Sequence, residues 1–150
     1  MPRFVTNRDV GYIKGINHEL IDKIIETPVI FFSLYPENQN SNIYGESTEK
    51  VYNPGLVVNC LIEHNDEATE DAEFGPNVTQ QIICSFYRNT LKDKDFYPER
   101  GDVVRYNDSY YEVTTVVDNQ LLAGRSGIRH SIICTCALVN KSSINVRYEK

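Results

Sequence analysis

The sequence predicts a mainly β protein: a small antiparallel β-barrel or sandwich with one N-terminal amphipathic helix and a long polar loop. Three observations predict it. Val and Ile are abundant and there are ten Tyr and no Trp, residue types that suit a pleated, half-buried surface. Most of the chain after Gly55 is a series of apolar runs of strand length separated by short turn signals, the pattern of antiparallel pairing. Only one segment, near the N-terminus, repeats its apolar residues at helical spacing. A length of 150 residues suits one domain with a real core. Hydrophobic content of 41% and charged content of 24% are in the globular range.

The helix is expected from about Asn7 to Thr27. Val10, Ile13, Ile16, Leu20 and Ile24 recur at steps of three and four, and Ile21 and Ile25 widen the stripe. Thr6 and Asp9 stand at the spacing of a capping box. Gly11 and Gly15 each weaken the early turns by about 1 kcal/mol relative to Ala, so docking must hold this helix. Pro28 ends it, because the residue before a proline avoids helical geometry.

"PVIFFSLY" follows as a strand. The stretch from Pro36 to Gly55, "PENQNSNIYGESTEKVYNPG", is too polar to bury a core and reads as an extended loop. Ile43 and Tyr44 are apolar exceptions within it, suited either to packing back on the domain or to touching a partner. Strands are expected in "LVVNCLIEH", "VTQQIICSFYRNTL" (bent near Gln80), "DVVRY", "YYEVTTVV" and "RHSIICTCALV". Between the first two lies an acidic turn region with Glu67, Glu70, Asp71 and Glu73. The β body thus covers about 56–139, and the polar tail 140–150 has room for one short strand.

"ERGDVVRYNDSYYEVTTV", Glu99 to Val116, is the most patterned stretch. Gly101-Asp102 supplies the turn that launches a strand, and Asn107-Asp108-Ser109 a tight hairpin turn. With Val104 and Tyr106 facing the core, Val113, Thr115 and Val117 are expected on the matching face. Arg105 and Glu112 then face outward as a cross-strand charge pair worth at most about 1 kcal/mol. Arg100-Gly101-Asp102 spells an integrin-binding tripeptide, but turn chemistry explains it better.

No stretch offers recognisable catalytic machinery. Cys60, Cys84, Cys134 and Cys136 each lie in an apolar run, with no C-x-x-C and no His at finger spacing, so they read as reduced core residues rather than zinc ligands. Their reduced state suits a cytoplasm. His18, His64 and His130 are scattered. His64 beside Asp66 and Glu67 is the nearest approach to a constellation, and it lacks the Gly-centred spacing of a calcium loop. No phosphate-binding loop, dinucleotide fingerprint or nucleophile elbow occurs. No cofactor or metal is expected, and no catalytic residue. The first residues lack an apolar h-region and no run approaches the ~20 apolar residues of a membrane span, so a soluble, non-secreted domain with no membrane partner is expected. A net charge of −6 works against phosphate-binding surfaces. A nucleic-acid-binding β-barrel stays as an alternative, on the aromatics of "SFYRNTLK" and "YYEV" with Arg88, Lys92, Lys94, Arg100 and Arg105 nearby.

The order of "IYGES…KVYNPGLVVNCLIEH", an acidic stretch ending "FGPNVTQQIICSFYR", and "FYPERGDVVRYNDSYYEVTTVVDNQLLAGR" resembles the neck, or head-closure, proteins of T4-type contractile-tailed bacteriophages. The resemblance runs from about Ile43 to Leu138. It implies a virion structural protein at the head–tail junction, assembled in the host cytoplasm as a ring, a hexamer or dodecamer, between portal and tail. Such a ring closes the head and offers the tail its attachment surface. The implied partners are other copies of the chain, a portal-side adaptor and a tail terminator, with packaged DNA at most passing through the channel. A tail-terminator or adaptor role fits the same architecture. For a ring subunit, the flanks are the expected arms: Arg3 and Phe4 at the N-terminus, and Ile43, Tyr44 and Glu46 in the polar loop, as interface residues. Glu67, Glu70, Asp71 and Glu73 are expected to face the channel, where they would repel DNA and let it slide.

Overall fold

The computed structural model describes residues 6–35, 50–72, 75–118, 128–140 and 144–146, with the side chains at 66–79 and 145–146 outside that description. The first helix, α1, spans Asn7–Glu19. Its capping box is complete: the Thr6 N–H donates to Asp9 Oδ2 at 2.9 Å, and the Asp9 N–H donates to Thr6 Oγ1 at 3.3 Å. These bonds from Thr6 lower the Asp9 carboxyl below its ordinary value. From Leu20 to Ile25 the helix widens into π geometry, and Glu26 closes it in the left-handed region at φ 42°.

One apolar run, divided at Cys60, supplies both edges of the main sheet. β1 is Pro28–Phe32, β2 Lys50–Tyr52, β3 Leu56–Asn59, β4 Leu61–Ala72 and β5 Gly75–Tyr87; after the short helix α2, Arg88–Asp93, come β6 Val103–Tyr106, β7 Ser109–Val117, β8 Ser131–Val139 and β9 Ile144–Val146. Seven strands form one antiparallel sheet in the order β3-β1-β6-β7-β8-β5-β4. The run "LVVNCLIEH" is therefore two strands at opposite ends of the sheet, separated by Cys60 alone. Successive Cα atoms lie about 3.8 Å apart, so this one-residue link forces the sheet to coil until its ends almost meet. Within the described residues β3 and β4 do not pair, so the ladder stays open and sandwich-like rather than closing into a barrel.

The coiled sheet encloses the main core. Val29 and Phe31 of β1, Val58 of β3, Ile82, Cys84 and Phe86 of β5, Val104 of β6, Tyr111 and Val113 of β7 and Ile132, Cys134 and Cys136 of β8 all point into it, with Cys60 and Leu91. The Phe31 ring meets Phe96 edge-on at 4.7 Å and Phe86 at 5.9 Å, the arrangement that ring quadrupoles favour. A second, smaller core lies on the other face of β1 and β6. There Phe32, Tyr52 and Val103 are buried, with Ile30, Leu34, Tyr110 and Ile144 packed against them. The lid over this face is the parallel pair β2–β9. Both of its strands come from stretches that read as polar loop and polar tail. Tyr52 supplies the apolar mass that composition averages hid.

The hairpin β6–β7 turns at Asn107 and Asp108, both at positive φ (49° and 64°), with Tyr106 opposite Ser109, a two-residue turn whose twist matches the strands. Gly101 takes φ 92° at the preceding turn, where a side chain would be strained. Val104 and Tyr106 face the main core as expected. Thr115 and Val117 do not: a bulge between Val113 and Thr115 inserts one residue and reverses the alternation, so Val116 packs inward and Val117 is exposed. Arg105 and Glu112, expected as a cross-strand pair, do not stand opposite each other, since Arg105 faces Tyr110. Val103 is the residue opposite Glu112, which pairs with Lys50 at 2.6 Å, while Arg105 pairs with Asp108 at 2.8 Å.

The acidic turn region is a second correction. Its backbone continues β4 to Ala72, paired with β5 from Gly75. Because β5 pairs with β8 only from Gln81 onward, Gly75–Gln80 and the opposing part of β4 form a two-stranded ribbon running about 20 Å beyond the sheet at ~3.3 Å per residue. Gln80 stands opposite a bulge between Asn65 and Ala68. β5 itself ends at Tyr87; "RNTLKD" is α2 and not strand.

Candidate interaction surface

The helix α1 docks on one side only. Val10 is buried and Ile13, Ile21 and Ile25 are half-buried, but Ile16, Leu20 and Ile24, expected in the same core stripe, are exposed. A 100° step per residue places Val10 and Ile21 on one side and Tyr12 and Ile16 on the other. The wider π turn then rotates Ile24 away from the docked side. The result is an uncovered apolar row of Tyr12, Ile16, Leu20 and Ile24, with Tyr12 71% and Ile24 70% exposed. Polar ties hold the docked side. Asp22 Oδ2 accepts from Thr90 Oγ1 at 2.8 Å and lies 2.7 Å from His18 Nδ1, and the Asp22 carbonyl accepts from Asn59 Nδ2 at 3.4 Å.

Between this helix and the sheet lies a cavity of about 190 Å³, lined by Leu20, Ile21, Ile25, Leu61, Phe86 and His130, with Asn17, Ser85, Tyr87 and Ser131 completing it. Leu20 and Leu61 are 41% and 38% exposed, so the cavity opens to solvent between them. Its walls are mostly hydrocarbon. The His130 Nδ1 atom is buried and has no hydrogen-bond partner among the described residues, while the His130 carbonyl is held by the Arg88 N–H at 3.0 Å.

A second opening, about 330 Å³, is lined by Arg88, Leu91, Lys92, Asp95, Phe96, Tyr97 and Ile132. The cations around it are largely committed. Arg88 Nη1 donates to Asp118 Oδ1 at 2.5 Å, and Arg129 Nη1 and the Tyr97 hydroxyl reach Asp118 Oδ2 at 3.4 Å. Lys94 Nζ donates to the Val57 carbonyl at 2.5 Å, and Arg105 is held by Asp108. Of the basic residues that supported a nucleic-acid reading, Arg88, Lys94 and Arg105 are thus drawn into intramolecular contacts.

The other titratable groups serve the scaffold. Asp102 is 2% exposed. Its Oδ1 accepts the Leu34 N–H and its Oδ2 the Glu99 N–H, both at 2.8 Å. Burial raises its carboxyl above the ordinary value against those two bonds. A buried aspartate cannot be offered to an integrin. The four cysteines are free and fully buried in the main core. Burial pushes the Cys134 thiol up to about 12; Cys60 and Cys136 are raised by their bonds to Cys84 and by burial. Tyr52 is pushed to about 12 by burial and by the charges of Glu112 and Asp102. Among the described residues no group of three or more His, Cys, Asp and Glu is placed to hold a metal ion, and no helix is long and apolar enough to cross a membrane.

The interface residues expected from sequence, Arg3, Phe4, Ile43, Tyr44 and Glu46, lie outside the described residues, as does Glu73. Glu67, Glu70 and Asp71 belong to strand β4, not to a loop, and their side chains are outside the description. Between Leu61 and Tyr87 there are six carboxylates and no Lys or Arg. This hairpin alone equals the chain's net charge of −6 and leaves the remainder neutral. Sequence reading overlooked the outer side of α1 and the cavity beneath it. Tyr12 at the head of the Ile16–Leu20–Ile24 spacing was the available signal.

No family model matches the chain, and no curated protein matches it. Among solved structures, a chain of a virion of a native gene transfer agent particle is similar over 75% of this chain and 93% of its own length, at 11% identity and a TM-score of 0.48. At that level the likeness establishes neither ancestry nor role.

Proposed function

We propose that this chain is a virion structural protein that works by binding, as a subunit of a neck ring between portal and tail. In this reading the ring closes the head and presents the surface to which the tail attaches. The sequence resemblance to T4-type neck proteins supports it. So does the one observation that carries it in the fold: a helix whose Tyr12, Ile16, Leu20 and Ile24 row is left exposed by the described residues. Apolar rows of this kind mark surfaces that a partner covers. The open, coiled sheet supplies a rigid body, and the helix and the acidic ribbon are handles on its outside.

Partners in this reading are adjoining copies, arranged as a hexamer or dodecamer, with a portal-side adaptor and a tail terminator above and below. The Leu61–Tyr87 charge disfavours nucleic acid as a tightly held ligand, so DNA at most passes through. A cryo-EM map of particles carrying a labelled full-length chain tests the reading. Label in a ring at the head–tail junction is the expected result. Particles that lack the chain, or a chain that stays solitary inside infected cells, overturn it.

A further inference from the structure

The exposed side of α1 is complementary to itself in size and in charge. Tyr12, Ile16 and Leu20 form a ridge at four-residue spacing, and Gly11, Gly15 and Glu19 run beside it at the same spacing. Rows of this kind are the ridges and grooves through which helices pack. Both glycines are exposed, and a Cβ added at either would meet nothing within 4 Å. The described residues therefore take no close approach from them, although each weakens the helix relative to Ala. At 100° per residue Arg8, Glu19, Tyr12 and Ile16 lie within about 80° of one another around the axis. Arg8 begins this face and Glu19 ends it, and both are exposed. Neither forms an ion pair among the described residues.

We propose that two free copies of the chain pair through this face, α1 against α1, antiparallel. Turning the helix end for end about the point between Ile13 and Lys14 brings Arg8 of one copy level with Glu19 of the other. Tyr12 and Ile16 then come level with Gly15 and Gly11 of the second copy. Each bulky side chain meets a glycine, which lets the two backbones approach, and opposite charges meet at both ends. A parallel pair would set Arg8 against Arg8 and Tyr12 against Tyr12. This match of size and charge singles out a second copy as the occupant. The contact is isologous, so it uses the same surface on both copies and stops at two. It goes beyond the ring reading and does not rest on it: paired copies must part before the row can serve another partner. α1 has 13 residues and is ~20 Å long at 1.5 Å per residue, which gives a small interface and a weak, concentration-dependent dimer.

Sedimentation equilibrium of the full chain tests the pairing. The wild type should dimerise reversibly. Gly11→Ala/Gly15→Ala puts two methyl groups into the contact and should weaken dimerisation about tenfold. The same variant should raise the urea midpoint, read at concentrations where both proteins are monomeric, because Ala favours helix over Gly. Arg8→Glu and Glu19→Arg should each weaken dimerisation about tenfold at low salt, since each turns two attractions into repulsions. Both changes suit the helix dipole, so the fold tolerates them. Combined in one chain they rebuild the pairs with signs reversed, and wild-type affinity should return. A chain that stays monomeric at its highest soluble concentration overturns the inference. So does a double alanine variant that dimerises like the wild type, or a charge-swapped chain that fails to recover. A chain that pairs in this way but is absent from particles supports the inference and overturns the neck reading. A junction ring built from a chain that never dimerises through α1 does the reverse.

Discussion

Strands β1 and β5 belong to one sheet and contribute to one core, yet they are built differently. β1 is buried on both faces: Val29 and Phe31 enter the main core, while Phe32, with Ile30 beside it, enters the second core under β2–β9. β5 is buried along one face, and on the other only at its end, where Tyr87 is 4% exposed. Ile82, Cys84 and Phe86 point inward, Gln81, Ile83 and Ser85 are half-buried on the reverse side, and the first half of the strand leaves the sheet with β4. The sequences record this difference. "PVIFF" is an unbroken apolar run, the mark of a strand covered on both sides, and "QQIICSFY" mixes polar residues into its outer positions. Stability therefore concentrates around β1 and the inner face of β5, and the outer surfaces of β5 and α1 are available for contacts.

The comparison breaks first at Phe86. Phe86→Ala removes a buried ring shared by both strands' core and should cost about 3–5 kcal/mol in urea unfolding; Ile83→Ala, one residue away on the outer face, should cost under about half of that. Similar losses at the two positions would mean that β5 is covered on both sides. At the second core, the Cβ of Gly55→Ala meets Ile30 Cγ2 in direct overlap and Phe32 Cε1 at 2.8 Å. Overpacking there should cost about 1–3 kcal/mol by the same measurement, and a neutral outcome would show that the β2–β9 lid yields.

Asp102 joins the second core to the hairpin turn. Asp102→Asn leaves one of the Leu34 and Glu99 N–H groups facing an amide nitrogen and should lose about 1–3 kcal/mol. The pH dependence has a definite sign. Burial raises the Asp102 carboxyl in the folded chain, so the folded state keeps that proton to higher pH than the unfolded state does. Its stabilisation is greatest below the unfolded value of about 3.9 and declines as pH rises through the folded value. The wild-type advantage over Asp102→Asn should therefore shrink from about pH 4 upward and then level off; an advantage that grows with pH refutes the assignment. The smallest effect belongs to the hairpin. Asp108→Gly relieves positive φ at a cost in the exposed Arg105 pair, and should shift stability by no more than about 0.5 kcal/mol either way, read as the unfolding midpoint.

The particular successes and failures of sequence reading share one cause. The capping box at Thr6, the turn at Gly101, the paired positive φ values at Asn107 and Asp108 and the burial of four cysteines depend on residues near in sequence or on side-chain type alone, and they were legible. The inserted residue in β7 was not, because a bulge is decided by the strand alongside. Tyr52 was concealed by polar neighbours, since burial belongs to individual side chains and not to the average of a stretch.

The sequence by itself determined a mainly β chain, its helix and the limits of that helix, its turn chemistry, and the loading of the entire net charge onto one hairpin. Local sterics, hydrogen-bonding and composition suffice for these. Tertiary structure alone decided that Cys60 carries the chain from one end of the sheet to the other, that β2 and β9 meet as a lid, and that α1 turns Tyr12 outward while His130 closes a cavity on its other side. Each of these joins residues far apart in the chain, and the free energy that selects such pairings comes from surfaces that exist only once the sheet has coiled.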